Sequence, residues 1–239
     1  MSAFVLVHGA WHGGWCWEPV VSSLRCRGHD AHAPTLTGLG ERSHLSAPEV
    51  GIQTHIEDVV HLLEWRDLHD VVLCGHSSGG LVIAGVADRL PERVRALCFL
   101  DAFIPKDGDS LLSLLPSEMV TDFLEGVRRA GRGWLVPAPP VTLWITDSVL
   151  GQWVTDQVTM QPLRTFTEGL ELSGGWERVA QRWNVVARDH PRHLFRNQYE
   201  RLRAEPRWQQ RVVPGRHDLM LEAPDAVTDI LLEIATNAG

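Results

Sequence analysis

"VVLCGHSSGG" (71–80) sets two serines between an apolar run and a glycine pair. Ser and Gly are ordinary turn residues, so a plain turn is one reading. The other is a nucleophile elbow, G-x-S-x-G, in which a strand enters a sharp turn and a helix leaves it. Only one frame fits the pentapeptide: Gly75, His76, Ser77, Ser78, Gly79. In that frame Ser77 is the candidate nucleophile. Gly75 and Gly79 stand where a Cβ would collide inside so tight a turn. The following helix aims its N-terminal amides at a reacting carbonyl, and Ser78 contributes its backbone N–H to an oxyanion hole there.

The flanks supply the strand and the helix. "DVVLCG" (70–75) reads as a strand, and "SGGLVIAGVADRL" (78–90) as a helix apolar all round and therefore buried. Upstream, "AFVLVHG" (3–9) and "HDAHAPTL" (29–36) read as strands, with "WEPVVSSLRCRG" (17–28) and "IQTHIEDVVHLLEWRDL" (52–68) as helices. "VRALCFLDAF" (94–103), "WNVVAR" (183–188) and "WQQRVV" (208–213) follow as strands, and "APDAVTDILLEIAT" (223–236) as a last helix. This alternation predicts an α/β fold, a mostly parallel sheet with helices on both faces. The rhythm breaks over 105–182, so the expected organisation is a core in two parts, 1–104 and 183–239, with 105–182 inserted as a helical lid. Trp134, Trp144, Trp153 and Trp176, with Trp183 at its edge, make the insertion aromatic. Most of them are expected to fill a small core of the lid itself, with one or two lining a pocket.

Bulk properties narrow the function. Net charge is −8, from 30 acidic against 22 basic residues, and no Lys/Arg stripe points to nucleic acid. No run approaches a membrane span, and "MSAFVLVHGA" lacks the features of a signal peptide. The four cysteines lack metal-type spacing; Cys74 and Cys98 lie in apolar runs where reduced thiols are the rule, so cytoplasmic residence is expected. Monomer and homodimer both stay open.

A serine hydroxyl needs a base, and the base needs an acid. His217, at the end of the strand "VVPG" in "VVPGRHDLML" (212–221), is the expected base. Asp189, ending "NVVARD", and Asp101, ending "LCFLD", both qualify as acid. "HGAWHGGW" (8–15) follows the first strand, and Ala10 N–H is the expected second oxyanion donor; His8 and His12 are read as ordering this loop. Gly9, Trp11, His76 and Leu219 are expected around the substrate. Asp189, His190 and His193 are spaced as a metal site could be, but no further ligands accompany them, and neither metal nor cofactor is expected.

Over 4–36, 71–105 and 209–224 the chain resembles the plant methylesterase and hydroxynitrile lyase group of α/β-hydrolases and its bacterial esterase-like relatives. That resemblance implies an α/β-hydrolase fold, with Ser77 as nucleophile, His217 as base and Asp189 as acid. The segment "ARDHPRHLF" departs from the family pattern, which keeps Asp101 as the alternative acid. The lyases carry Thr in the first loop and Lys after the catalytic His; Gly9 and Asp218 stand here, which speaks against cyanohydrin cleavage. The expected activity is hydrolysis of small or medium apolar or aromatic esters, or lactones, through an acyl-enzyme. Two rivals use the same residues differently: a biosynthetic tailoring enzyme (lactone opening, cyclisation or C–C cleavage), and a non-catalytic small-molecule binder.

Overall fold

A computed structural model describes residues 1–191 and 194–237. Six strands form one sheet: β1 Ala3–Val7, β2 Asp30–His32, β3 Val71–His76, β4 Val94–Leu100, β5 Gln181–Ala187 and β6 Trp208–Val213. Their order is β2-β1-β3-β4-β5-β6, and every pairing is parallel. The chain steps outward from β1 to β2, then returns across β1 to β3. Such a reversal opens a crevice at the carboxyl ends of the two strands, where ligands bind in open α/β sheets.

Side-chain alternation divides the interior. Phe4 and Leu6 of β1, with Val72 and Cys74 of β3, join a core against helices α1 (Glu18–Cys26) and α7 (Pro224–Thr236). Val5 and Val7, with Val71 and Leu73, face the opposite way, against α2 (Ile52–Trp65) and α3 (Gly79–Arg89). Both faces are covered, which is why the central strands read as unbroken apolar runs. The helix α2 packs closely on α3 because Gly85 has no side chain; a Cβ there would stand 2.3 Å from Ile56 Cδ1.

Between β4 and β5 the chain forms α4 (Ser117–Arg129), α5 (Ser148–Gln157) and a two-stranded ribbon of Leu135–Val136 with Gln161–Pro162. This segment has no separate core. Phe123, Val136, Trp144, Phe166 and Trp176 belong to the same apolar cluster as α2, α3 and Trp11. Trp183 lies in the other core and Trp153 is exposed, so the expectation of a self-contained aromatic core does not hold. A last helix before β6, α6, spans Arg196–Leu202.

Candidate active site

Ser77 follows β3 directly and has φ +54°, the left-handed conformation that a side chain ordinarily avoids. Three backbone hydrogen bonds brace it. Its N–H donates to Leu100 O (3.3 Å), and its carbonyl accepts from Gly80 N–H and Phe103 N–H (both 3.1 Å). The glycines make the turn fit: a Cβ on Gly75 would lie 2.5 Å from Gly79 O, and one on Gly79 would lie 2.8 Å from both Val7 O and His8 O. Gly9 lets the first loop rest on Ser77, since a Cβ there would meet Ser77 Cβ at 2.8 Å.

His217 follows β6, and its Nδ1–H donates to Asp101 Oδ2 at 2.7 Å. Asp101 follows β4, the strand next to β3, and is itself left-handed with φ +42°. Its carboxylate is buried among polar partners: Ala187 N–H donates to Oδ1 at 3.0 Å, and His190 Nδ1 lies 3.2 Å from Oδ2. Burial opposes its ionisation, but the bonds from His190 and His217 outweigh that and bring its pKa down to about 2. Asp189 is not at His217. Its side chain is 48 % exposed, forked onto Arg188 at 3.0 and 3.1 Å, and it caps Gly215 N–H at 3.0 Å. The chain turns outward after Ala187, and the adjacent Arg188 takes the carboxylate to the surface. Of the two aspartates weighed from sequence, the structure brings Asp101 to His217.

The first loop runs beneath the elbow. His8 Nδ1–H donates to Gly9 O (2.8 Å), while its Nε2 accepts from Leu36 N–H (3.0 Å). Those partners require a neutral ring, and burial lowers its pKa from the ordinary 6.5 to about 3. The unfolded chain protonates this ring near the ordinary value. The stability tied to neutral His8 is therefore complete above that pH and lost as pH falls toward about 3. In a ¹H–¹⁵N NMR titration the His8 ring is expected to stay flat from about pH 8 to pH 4.5; a titration midpoint above about pH 5 would contradict this assignment. Neither the Ala10 nor the Ser78 amide joins the backbone hydrogen bonds of turns and loops among the described residues.

The chain from residue 4 to 230 matches the model of the alpha/beta hydrolase family. The chain belongs to that family. A carbendazim hydrolyzing esterase from Nocardioides sp. (strain SG-4G) is 40% identical over 239 residues, covering 97% of this chain and 98% of that protein. Methylesterase 1 of Arabidopsis thaliana is 38% identical over 104 residues, covering 43% of this chain and 40% of that protein. Among solved structures, an extracellular alpha/beta-hydrolase from a Paenibacillus species superposes with a TM-score of 0.85 at 24% identity, covering 99% of this chain and all of that one. The family and the full-length relative place this hydrolase among the carboxylic ester hydrolases.

A partly open cavity lies in the hydrolase above the elbow. Ala10, Trp11, Ser77, Ser78 and His217 line it, and Phe103, Leu111, Phe123, Trp144 and Phe166 supply apolar walls. Three residues expected around the substrate are elsewhere. Gly9 packs under Ser77 and is not part of the lining. Leu219 is fully buried in the α1/α7 core. His76 is fully buried behind His217, its ring centroid 4.4 Å from that of His217 and its Nε2–H donating to His217 O at 3.1 Å. Strand parity is the signal that could have excluded His76, because it shares the face of Val72 and Cys74, away from the cavity. His190, which the sequence offers in a metal-type spacing with Asp189 and His193, stacks its ring on His217 at 4.8 Å and lines the cavity. His193, its partner in the metal reading, lies outside the described residues. Ligand-type atoms of Asp101, His190 and His217 lie within 4.8 Å of one another, both rings facing the carboxylate, His217 through a hydrogen bond and His190 at 3.2 Å.

Proposed function

We propose that this hydrolase cleaves small to medium apolar or aromatic carboxylic esters through a Ser77–His217–Asp101 triad and an acyl-enzyme. The observation that carries the reading is the 2.7 Å hydrogen bond from His217 to a buried Asp101, beside a cavity that Ser77 also lines. Asp101 fixes the tautomer in which His217 Nε2 is bare and basic. That nitrogen takes the Ser77 proton as Oγ attacks the ester carbonyl. The Ala10 and Ser78 amides receive the oxyanion. Collapse of the tetrahedral adduct passes the proton from His217 to the departing alcohol, and water then repeats the sequence to release the acid. An apolar, aromatic-walled cavity selects acyl and alcohol groups without charge.

Residues 105–182 act as the lid in this reading, since Leu111, Phe123, Trp144 and Phe166 roof the cavity. No helix among the described residues is long and apolar enough to cross a membrane. Free cysteines at 16, 26, 74 and 98 support cytoplasmic residence.

A panel of p-nitrophenyl esters of graded acyl length, aromatic methyl esters and lactones tests the reading. Carbendazim joins the panel because the full-length relative is named for its hydrolysis. Turnover is expected for short and medium p-nitrophenyl esters and to persist in a chelator. No turnover of any member, or turnover abolished by chelation and restored by a divalent ion, would overturn it.

A further inference from the structure

A second buried histidine–carboxylate pair lies beside the triad. His12 and Asp218 are 2 % and 0 % exposed, and His12 Nε2 stands 3.1 Å from Asp218 Oδ2. The other ring nitrogen, Nδ1, lies 2.8 Å from Ala10 O. A carbonyl oxygen only accepts, so Nδ1 carries a proton. A carboxylate that has lost its proton likewise only accepts, which puts a second proton on Nε2. The ring is then an imidazolium, and its surroundings suit one. Indoles flank it, Trp15 at 5.2 Å and Trp144 at 5.1 Å between ring centroids, and aromatic faces attract a cation. Burial opposes charge on both partners, but their mutual attraction raises the basicity of His12 and lowers the pKa of Asp218. The other titratable groups near the pair are His76, with His8, Cys16 and His217 further contributors to the local field.

The pair joins three parts of the site. Asp218 follows the base His217 directly, and its N–H donates to Trp144 O in the inserted segment at 3.2 Å. His12 lies in the first loop. The two carbonyls flanking the Ala10 amide and its own peptide are each gripped by an imidazole: Gly9 O by neutral His8, and Ala10 O by His12. On the far side of the Ala10–Trp11 peptide, Trp11 N–H donates to Gln161 Oε1 at 3.0 Å. Ala10 is thus held from both directions while its own amide is left for the substrate.

We propose that His12 and Asp218 form a charged clamp that holds the Ala10 loop in its oxyanion-binding geometry. Both are positioning residues for transition-state stabilisation. The inference rests on the ester-hydrolysis reading above. Loss of the clamp frees Ala10 O and lets the loop shift at Ala10, and a displacement of about 1 Å at the Ala10 N–H, which belongs to the adjoining Gly9–Ala10 peptide, lowers turnover by up to about 100-fold. Ground-state binding in the apolar cavity does not depend on that donor.

The test uses the full-length protein with Asp218→Asn and His12→Gln. With p-nitrophenyl butyrate, kcat is expected to fall by about 10- to 100-fold while KM stays within about threefold. Inhibition by a trifluoromethyl ketone, which forms an oxyanion adduct with Ser77, is expected to weaken in step with kcat. Inhibition by the corresponding methyl ketone is expected to be unchanged. In the wild-type protein at about pH 8, ¹⁵N NMR is expected to find protons on both nitrogens of the His12 ring. A bare nitrogen on that ring overturns the clamp, and so does native kcat in both variants or a loss confined to KM. The NMR result stands even where a variant folds poorly. If the wild type turns over no ester, the functional reading fails while the ring measurement still judges the charged pair.

Discussion

Ser77→Ala is expected to lower kcat by about 10⁴-fold or more, because the covalent route is lost and only binding and oxyanion stabilisation remain. The left-handed backbone at Ser77 is braced by Leu100, Gly80 and Phe103 through main-chain bonds, so the alanine variant keeps the turn and folds. Ser78→Ala retains its amide and is expected to change kcat by at most about tenfold. A serine-directed phosphonate then labels the wild type at Ser77 alone. Equal damage from the two substitutions, or label on Ser78, would show that the elbow has been framed one residue wrong.

Asp101→Asn is expected to lower kcat by about 10³- to 10⁴-fold with little change in KM, since an amide facing His217 Nδ1 favours the wrong imidazole tautomer. The side chain is nearly isosteric and can still accept from Ala187 N–H, so the fold persists. Asp189→Asn is expected to leave kcat within about threefold, because an exposed ion pair with Arg188 contributes little. A crippled Asp189→Asn enzyme beside an active Asp101→Asn enzyme would reverse the assignment.

Much of the architecture was legible because the physics behind it is local. The apolar runs at 71–75 and 94–100 are buried on both faces, and the small residues of 79–87 admit one interpretation, a helix pressed into the core. Boundaries were less legible. The expected strand 29–36 pairs only over Asp30–His32, an edge strand that ends just before Ala33 and Pro34. The strand expected through Phe103 stops at Leu100, since Asp101 turns left-handed to reach His217. The competing aspartates show a second limit. Chain order and likeness to relatives favour Asp189, whereas the carboxylate that the structure buries against His217 is Asp101. "LCFLD" carried that information: a charge closing an apolar strand needs a buried partner. The pairing of His12 with Asp218 joins residues far apart in sequence, and neither spacing nor periodicity reports on it.

Trp11 fastens the insertion to the first loop. Its indole N–H donates to Val136 O (2.9 Å), its carbonyl accepts from Thr159 N–H (2.9 Å), and its ring stacks on Trp144 at 5.5 Å. The roof of the cavity and the floor that carries Ala10 are therefore one mechanical body. Substrate range in this enzyme is not a detachable cassette. Grafting another relative's residues 105–182 onto this core would disturb the chemistry as well as the pocket, unless residues 9–14 were exchanged with them.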